Sequence, residues 1–241
     1  MGGMVGSQHT VKSYDDELAE LSQGVSKLLE RTHHQFEFAL KALKTCDLSL
    51  VAKALELEDQ VDAEEARVDH QAVRMIATRQ PMGQDLRNIV SAMRGAPHLE
   101  RIGDLSVNIA KRAEIVCTCA SDAERAPLIA VGERLIDAFD ALGHALNDAD
   151  PESARKVWRE DAEVDRLYTN AFEILLRFAA NISEPRQANA AAHMICIARD
   201  MERIGDHLTD LAEDIHYGVT GDLIEGRRPK ADESRRLTLK P

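Results

Sequence analysis

The phrase Glu-Arg-Ile-Gly-Asp occurs twice in the chain, as Glu100-Arg101-Ile102-Gly103-Asp104 and as Glu202-Arg203-Ile204-Gly205-Asp206. Each copy lies within a long stretch of helical apolar period. Each is therefore read as one helical turn that carries carboxylates at i and i+4 on a single face. Like charges at that spacing cost an isolated helix roughly 0.2–0.5 kcal/mol, and a chain that repeats the arrangement is expected to offset the repulsion with a cation. The same acid-x-x-x-Asp spacing recurs at Glu58–Asp62 and Asp161–Asp165. The two Glu-Arg phrases are 102 residues apart, and Asp62 and Asp165 are 103 apart, so the chain is an internal duplication.

What is duplicated is helical. Of the 241 residues 30% are charged and only 4% aromatic, a composition that favours long helices over a sheet. The expected fold is all-α, two tandem three-helix bundles with six long helices. A disordered, glycine-rich segment is expected over residues 1–12, a first repeat over 13–120, a second over 121–218, and a basic disordered tail over 219–241. Within the first repeat a helix is expected from Ser13 to about Lys44 and a second from Asp47 or Ser49 to Arg79. A third should run from Pro81 to Cys119 and kink at Pro97, which has no N–H for the carbonyl of residue 93. Gln80-Pro81 ends the second helix, because the residue before a proline is pushed out of helical geometry. The second repeat follows the same plan: helices from Asp122 to about Asn147, from Asp150-Pro151 to about Asn181, and from the Ser183-Glu184-Pro185 turn to about Gly218.

The last helix carries Met194, Ile197, Met201, Ile204, Leu208, Leu211 and Ile215 at alternating spacings of three and four, an apolar seam of period 3.5. Relative to it Glu202 and Asp206 face outward, which predicts acids on the outside of the bundle. Folding the second and third helices as an antiparallel hairpin about Pro81 sets residue 60 beside 102. Folding the fifth and sixth about Ser183-Glu184 sets 163 beside 204. Each hairpin then presents four carboxylates at one level, the oxygen-rich set that hard cations select. Against a metal stands the commoner case of a solvated acidic face. Gly103 and Gly205 are read as positions of close helix approach rather than hinges.

A net charge of −12 argues against nucleic-acid binding, since phosphate contacts require a basic surface. Cys46, Cys117, Cys119 and Cys196 form no regular framework, which predicts reduced thiols and a cytoplasmic home. Cys117 and Cys119 are read as thiols at a helix end, Cys196 as buried beside a half-exposed His193, and Trp158, Phe172 and Phe178 as core. Met1 to Val11 lacks the basic and apolar regions of a signal peptide, the myristoylation position holds Gly6, and no apolar run of 18 residues could span a bilayer. From Arg227 to Pro241 there are six basic residues and two acids, +4 in all, which leaves −16 for residues 1–226. Such a tail suits an anionic lipid or an acidic partner, or no partner at all.

The doubled Glu-Arg-Ile-Gly-Asp, its acid-x-x-x-Asp partners and the Gln80-Pro81-x-x-x-Asp85-Leu86-Arg87 turn together resemble the PhoU family, over nearly the whole chain from Tyr14 to Gly218. The resemblance implies tandem three-helix bundles, generally dimeric. It implies a regulator that lowers phosphate uptake and restrains the phosphate-starvation response, acting between the phosphate-specific ABC transporter and the membrane sensor histidine kinase. It also implies metal at the acid motifs: iron, zinc, manganese or magnesium. Carried over by position, the metal ligands are Glu58, Asp62, Glu100 and Asp104 in the first half and Asp161, Asp165, Glu202 and Asp206 in the second, with Asn108 and Asp210 as weaker candidates. The second half has Gln187-Ala188-Asn189 where the first has Asp-Leu-Arg, which sets the halves apart.

The expected function is thus a cytoplasmic, non-enzymatic, metal-binding adaptor, a homodimer held at the membrane through its partners. The alternative is a carboxylate-bridged di-iron or other metalloenzyme, for which Glu30-x-x-His33 and Glu213-x-x-His216 supply the Glu-x-x-His tetrapeptides. Neither shares a level with the duplicated acids.

Overall fold

The computed structural model describes residues 5–182, 184–234 and 237, with side chains described from Ser13 onward. Residues 1–4 of the expected N-terminal segment, Ser183 of the expected turn, and residues 235, 236 and 238–241 of the expected tail lie outside the described residues. The elements are α1 (Val5–Thr45), α2 (Ser49–Glu56), α3 (Glu58–Arg79), α4 (Gly83–Cys119), α5 (Asp122–Asn147), α6 (Pro151–Ala180) and α7 (Pro185–Thr220). No strand occurs among the described residues.

The boundaries follow from local chemistry. Gln80, forced off helical geometry by Pro81, ends α3 in the left-handed region at φ 50°. Ser121 and Glu124 form a capping box that opens α5. The Asp150 carboxylate accepts the Glu152 N–H at 3.0 Å, and Pro151 occupies the first turn of α6, where its missing N–H costs nothing. Gly221, at φ 83°, closes α7.

Two expectations change here. α1 begins at Val5, inside the segment expected to be disordered. The expected second helix is interrupted at Leu57, giving α2 and α3; Leu57 keeps right-handed helical dihedrals (φ −84°, ψ −16°), so the break is local. α4 continues through Pro97.

α1, α3 and α4, with α2, form one three-helix bundle and α5, α6 and α7 the other. The bundles share a core, because α4 and α7 make the most extensive helix pair in the molecule and α1 also packs on α5. α4 and α7 run antiparallel: the Ser91 hydroxyl donates to the Asp214 carbonyl at 2.6 Å, and further along Arg112 pairs with Asp200 at 2.8 Å. The period-3.5 seam of α7 faces this core, with all seven of its side chains buried. Each Leu, Ile or Met so placed contributes roughly 1.5–3 kcal/mol relative to exposure.

The register of the two hairpins is fixed by glycine. A Cβ on Gly103 would stand 3.1 Å from Val61 Cγ1, and a Cβ on Gly205 would stand 3.1 Å from Val164 Cγ1. Val61 and Val164 are 103 residues apart and the glycines 102, the offsets of the sequence repeat. Both glycines therefore mark close helix approach at equivalent positions.

The four-thiol expectation does not hold, and the reducing compartment drawn from it loses that support. Cys46 and Cys117 are joined by a disulfide, which ties the end of α1 to the end of α4. The pair is invisible in sequence because its members are 71 residues apart and meet only once α1 and α4 lie side by side. Cys119 is half-buried and Cys196 is exposed, the latter against the expectation of burial, because residue 196 falls opposite the α7 seam. Trp158 is core as expected, and its indole N–H donates to Glu213 at 2.8 Å; Phe172 and Phe178 pack at the core's edge.

Candidate metal-binding faces

In the first repeat α3 and α4 bring their acids to one level. Burial, then the charge of Asp104, raises the pKa of the Glu100 carboxyl, and Asp62 and Glu65 add to the effect. Glu65, one turn beyond Asp62, is itself raised by burial and by the charges of Asp69 and Asp62. Glu65 escaped the sequence reading because it lies outside the i, i+4 pattern, although its spacing of three from Asp62 is also same-face. Glu58, in the first turn of α3, is not among the charges acting on Glu100. The local cation is Arg101, which reaches Asp104 at 3.1 Å and Glu100 at 3.4 Å with its side chain 60% exposed. So exposed a pair contributes about 0–1 kcal/mol. This face is acidic and open.

The second repeat sets the equivalent acids in a different environment. Asp161 and Asp165 are each 3% exposed, whereas Asp62 is exposed. What covers them is the chain's own C-terminal segment, which leaves α7 at Gly221 and returns along α6. Gly226 lies over Trp158. Arg228 donates from Nε and Nη2 to the two Asp161 oxygens at 2.7 and 2.9 Å, from Nη2 to Asp206 at 2.7 Å, and from Nη1 toward Asp210 at 3.4 Å. Lys230 donates to Asp206 at 2.5 Å, the Ala231 N–H to Asp165 at 2.7 Å, and the Glu233 N–H to Thr169 at 3.1 Å. Thr209 adds a hydrogen bond to Asp161 at 3.1 Å.

The fork of Arg228 matches a carboxylate bidentately. Burial pulls its pKa down, but the Asp161 hydrogen bond and the charges of Asp161, Asp206 and Asp210 outweigh burial and raise it. Burial, then the charges of Asp206 and Asp232, raises the pKa of Glu202.

The expectation of a disordered tail is therefore corrected over residues 221–234; Glu202 and Asp206 keep their outward, partly exposed positions, while Asp161 and Asp165 are buried beneath the returning segment. A segment carrying Arg228 and Lys230 is held because it meets four acidic side chains that would otherwise face one another. The cation demanded by the duplicated carboxylates is, in this repeat, supplied by the polypeptide. The sequence signal was present in the charge split between tail and body, but nothing in it named the destination.

Asp62, Glu100 and Asp104 thus share one open face, and Asp161, Asp165 and Asp206 a second that the returning segment covers. Neither face brings three ligand oxygens within 4.8 Å of one another; among the described residues the one group of His, Cys, Asp and Glu that converges so closely is His98, His207 and Asp210. The side chains of the first face are exposed or half-buried and, among the described residues, held only by the exposed Arg101, so gathering around a cation there costs that weak pairing and rotamer entropy. Asn108 is exposed on α4, and Asp210 is engaged by Arg228. The histidines of the two Glu-x-x-His tetrapeptides lie apart from both faces: His33 stacks on Phe139, and His216 is buried with its Nδ1 3.4 Å from the Pro151 carbonyl oxygen.

A duplicated all-α bundle with two acidic turns per hairpin defines a class, and comparison with known proteins gives it a family. Residues 25–113 and 128–215 each match the PhoU domain, and the chain belongs to the PhoU domain family. It is 36% identical over 232 residues to the phosphate-specific transport system accessory protein PhoU homolog of Caulobacter vibrioides, covering 94% of this chain and 98% of that one. The homologue from Rhizobium meliloti, of the same description, is 34% identical over 234 residues, covering 95% and 96%. The crystal structure of PhoU from Pseudomonas aeruginosa superposes with a TM-score of 0.79 at 29% identity, covering 87% of this chain and all of that one. No described helix is long and apolar enough to cross a membrane.

Proposed function

We propose that this chain is an accessory regulator of phosphate transport, a non-catalytic cytoplasmic adaptor that lowers phosphate uptake and restrains the starvation response. Its partners are the phosphate ABC transporter and the phosphate sensor histidine kinase, and it reaches the membrane through them as a homodimer. The observation that carries the reading is the matched pair of acidic hairpin faces on a fold shared with relatives described as phosphate-transport accessory proteins. An adaptor regulates by binding one conformation of its partner more tightly than another, so its effect is limited by that difference in affinity. Exposed Val73, Ile76, Met82 and Leu86 give the α3–α4 end of the first repeat an apolar surface suited to a protein partner.

The same reading gives the first face a divalent or trivalent ion held by Asp62, Glu100 and Asp104, with Glu65 beside them and Glu58 one turn before Asp62 on α3. Iron, manganese, magnesium or zinc would supply the positive charge that Arg101 supplies only weakly. The donor set is all oxygen and fits hard cations best. The second face, Asp161, Asp165, Glu202 and Asp206, takes metal only when Arg228 and Lys230 leave it.

Deletion of the gene is expected to raise phosphate uptake and starvation-gene expression in high phosphate, and an unchanged phenotype overturns the regulatory reading. Elemental analysis of chelator-free protein is expected to find metal in the native chain and a loss of it in the Glu100→Ala/Asp104→Ala variant. Equal, negligible metal in both removes the metal and leaves the adaptor standing.

A further inference from the structure

We propose that His98, His207 and Asp210 form a mononuclear site for a zinc-like divalent ion at the seam between the two repeats. It differs in donor type from the carboxylate faces and adjoins the second of them, since the Arg228 that engages Asp161 and Asp206 also approaches Asp210. His98 belongs to α4 of the first repeat, and His207 and Asp210 to α7 of the second, so a bound ion ties one repeat to the other. The three side chains are half-buried, and one ligand atom from each lies within 4.8 Å of the others. The two imidazoles face each other through Nδ1 at 3.0 Å, and the Asp210 Oδ2 oxygen stands 4.0 Å from His98 Nδ1.

Two nitrogens bound at about 2.0–2.1 Å to a tetrahedral ion stand roughly 3.3 Å apart, so the rings need open by only a few tenths of an ångström. Two imidazoles and one carboxylate are a borderline set that suits zinc and its neighbours rather than magnesium or calcium, and they leave a fourth position for water.

Its surroundings fit as well. The far nitrogen of His98, Nε2, faces the Asp214 Oδ2 oxygen at 3.9 Å. Asp214 is 2% exposed, and its other oxygen is held by Arg94 at 2.9 Å. At 3.9 Å this is a charge contact rather than a hydrogen bond; a shift of the ring toward Asp214 as an ion binds would close it to the carboxylate–histidine pairing that strengthens a ligand. Asp210 has a second role, since its Oδ1 oxygen is the one that Arg228 approaches at 3.4 Å. The returning C-terminal segment and the seam ion therefore share a carboxylate and draw on it from opposite oxygens. Neither histidine comes from the sequence duplication: the position equivalent to His98 is Asp200, and that equivalent to His207 is Leu105. The pair exists because α4 and α7 cross where they do.

The test uses the full chain, stripped with a chelator and titrated with Zn2+ against a chromogenic competitor. It is run on the native chain and on His98→Ala, His207→Ala, Asp214→Asn and Glu100→Gln/Asp104→Asn variants. The native chain is expected to bind one Zn2+ tightly. Removal of either histidine should weaken that binding by about 100-fold or more, Asp214→Asn should weaken it by about 10-fold to 100-fold, and the Glu100/Asp104 variant should retain it. Co2+ added to the native chain should give the intense visible absorption of a low-symmetry four-coordinate site, a readout that needs no variant to fold.

Zinc binding that survives both histidine substitutions overturns the proposal, as does a featureless Co2+ spectrum. Zinc lost only in the Glu100/Asp104 variant also overturns it and places the ion on the carboxylate face. Loss confined to the histidine variants, with no metal on that face, upholds the seam site while the metal reading of the first face fails.

Discussion

The two repeats fold to the same hairpin register and then treat the same charges in opposite ways. In the first, Asp62 is exposed and Glu58 half-buried, the cation beside Glu100 and Asp104 is an exposed Arg101, and the bundle is fastened covalently by Cys46–Cys117. In the second, Asp161 and Asp165 are buried under Arg228, Lys230 and the backbone of residue 231, and no disulfide ties its described helices. The lesson is that duplication preserves a charge pattern without preserving what neutralises it. A carboxylate cluster is satisfied by water, by a metal or by a guanidinium, and the choice depends on which chain segment can reach it.

The largest expected effect tests the covalent half of that difference. Cys46→Ser/Cys117→Ser releases a 71-residue closure and is expected to lower stability by about 4 kcal/mol on loop entropy. Urea unfolding of native and variant chains measures it, and thiol titration of the denatured native chain should count two free thiols before reduction and four after. Four before reduction would remove the covalent contrast between the repeats.

Next in size is the ionic half. Arg228→Ala removes the charged donor to Asp161, Asp206 and Asp210, and should cost about 1.5–3 kcal/mol, less than for a sealed core because water can follow the departing segment. Arg101→Ala, its counterpart on the open face, should change stability by less than about 0.5 kcal/mol. Equal effects would mean that the returning segment contributes no more than an ordinary surface ion pair. The same Arg228→Ala change, combined with Lys230→Ala, should raise metal uptake on the second face and leave the first unchanged, read by equilibrium dialysis with Mn2+.

Smaller effects probe the shared register. Gly103→Ala and Gly205→Ala should each destabilise by about 1–2 kcal/mol, since the added methyl meets Val61 or Val164 at 3.1 Å and overpacking outweighs the gain in helix propensity. Gly103→Ala should cost the more, because its methyl also meets the buried Gln35 Oε1 at 2.9 Å; a thermal melt in which Gly205→Ala is instead stabilising would show that Val164 does not hold that hairpin. Gly143→Ala, in open space on α5, is the opposite control. It should stabilise the chain by about 0.5–1 kcal/mol.

Much of this molecule was legible beforehand, for identifiable reasons. The offsets of 102 and 103 gave the duplication. The turn chemistry at Gln80-Pro81, Asp150-Pro151 and Pro185 located the helix ends within a few residues, and the α7 seam named seven buried side chains. The hairpin midpoints set 60 beside 102 and therefore 61 beside 101, and the Val61–Gly103 contact stands two residues from that register. These are local or period-based signals, carried by backbone geometry and apolar spacing. Glu65 was missed because one spacing was favoured over its neighbour. The break at Leu57 has no proline or glycine to announce it.

By itself the amino-acid order determined an all-helical repeat with one doubled acidic turn in each half, because helix period, proline stops and charge spacing act over a few residues. Only the tertiary structure decided that Cys46 meets Cys117, that Arg228 lies between Asp161 and Asp206, and that His98 faces His207. Each of those contacts joins residues far apart in the chain, and their meeting depends on how α4 crosses α7 and on where the chain turns after Gly221. Pairwise electrostatics and covalent geometry act over a few ångströms, so they cannot be assigned until packing has set which distant side chains are neighbours.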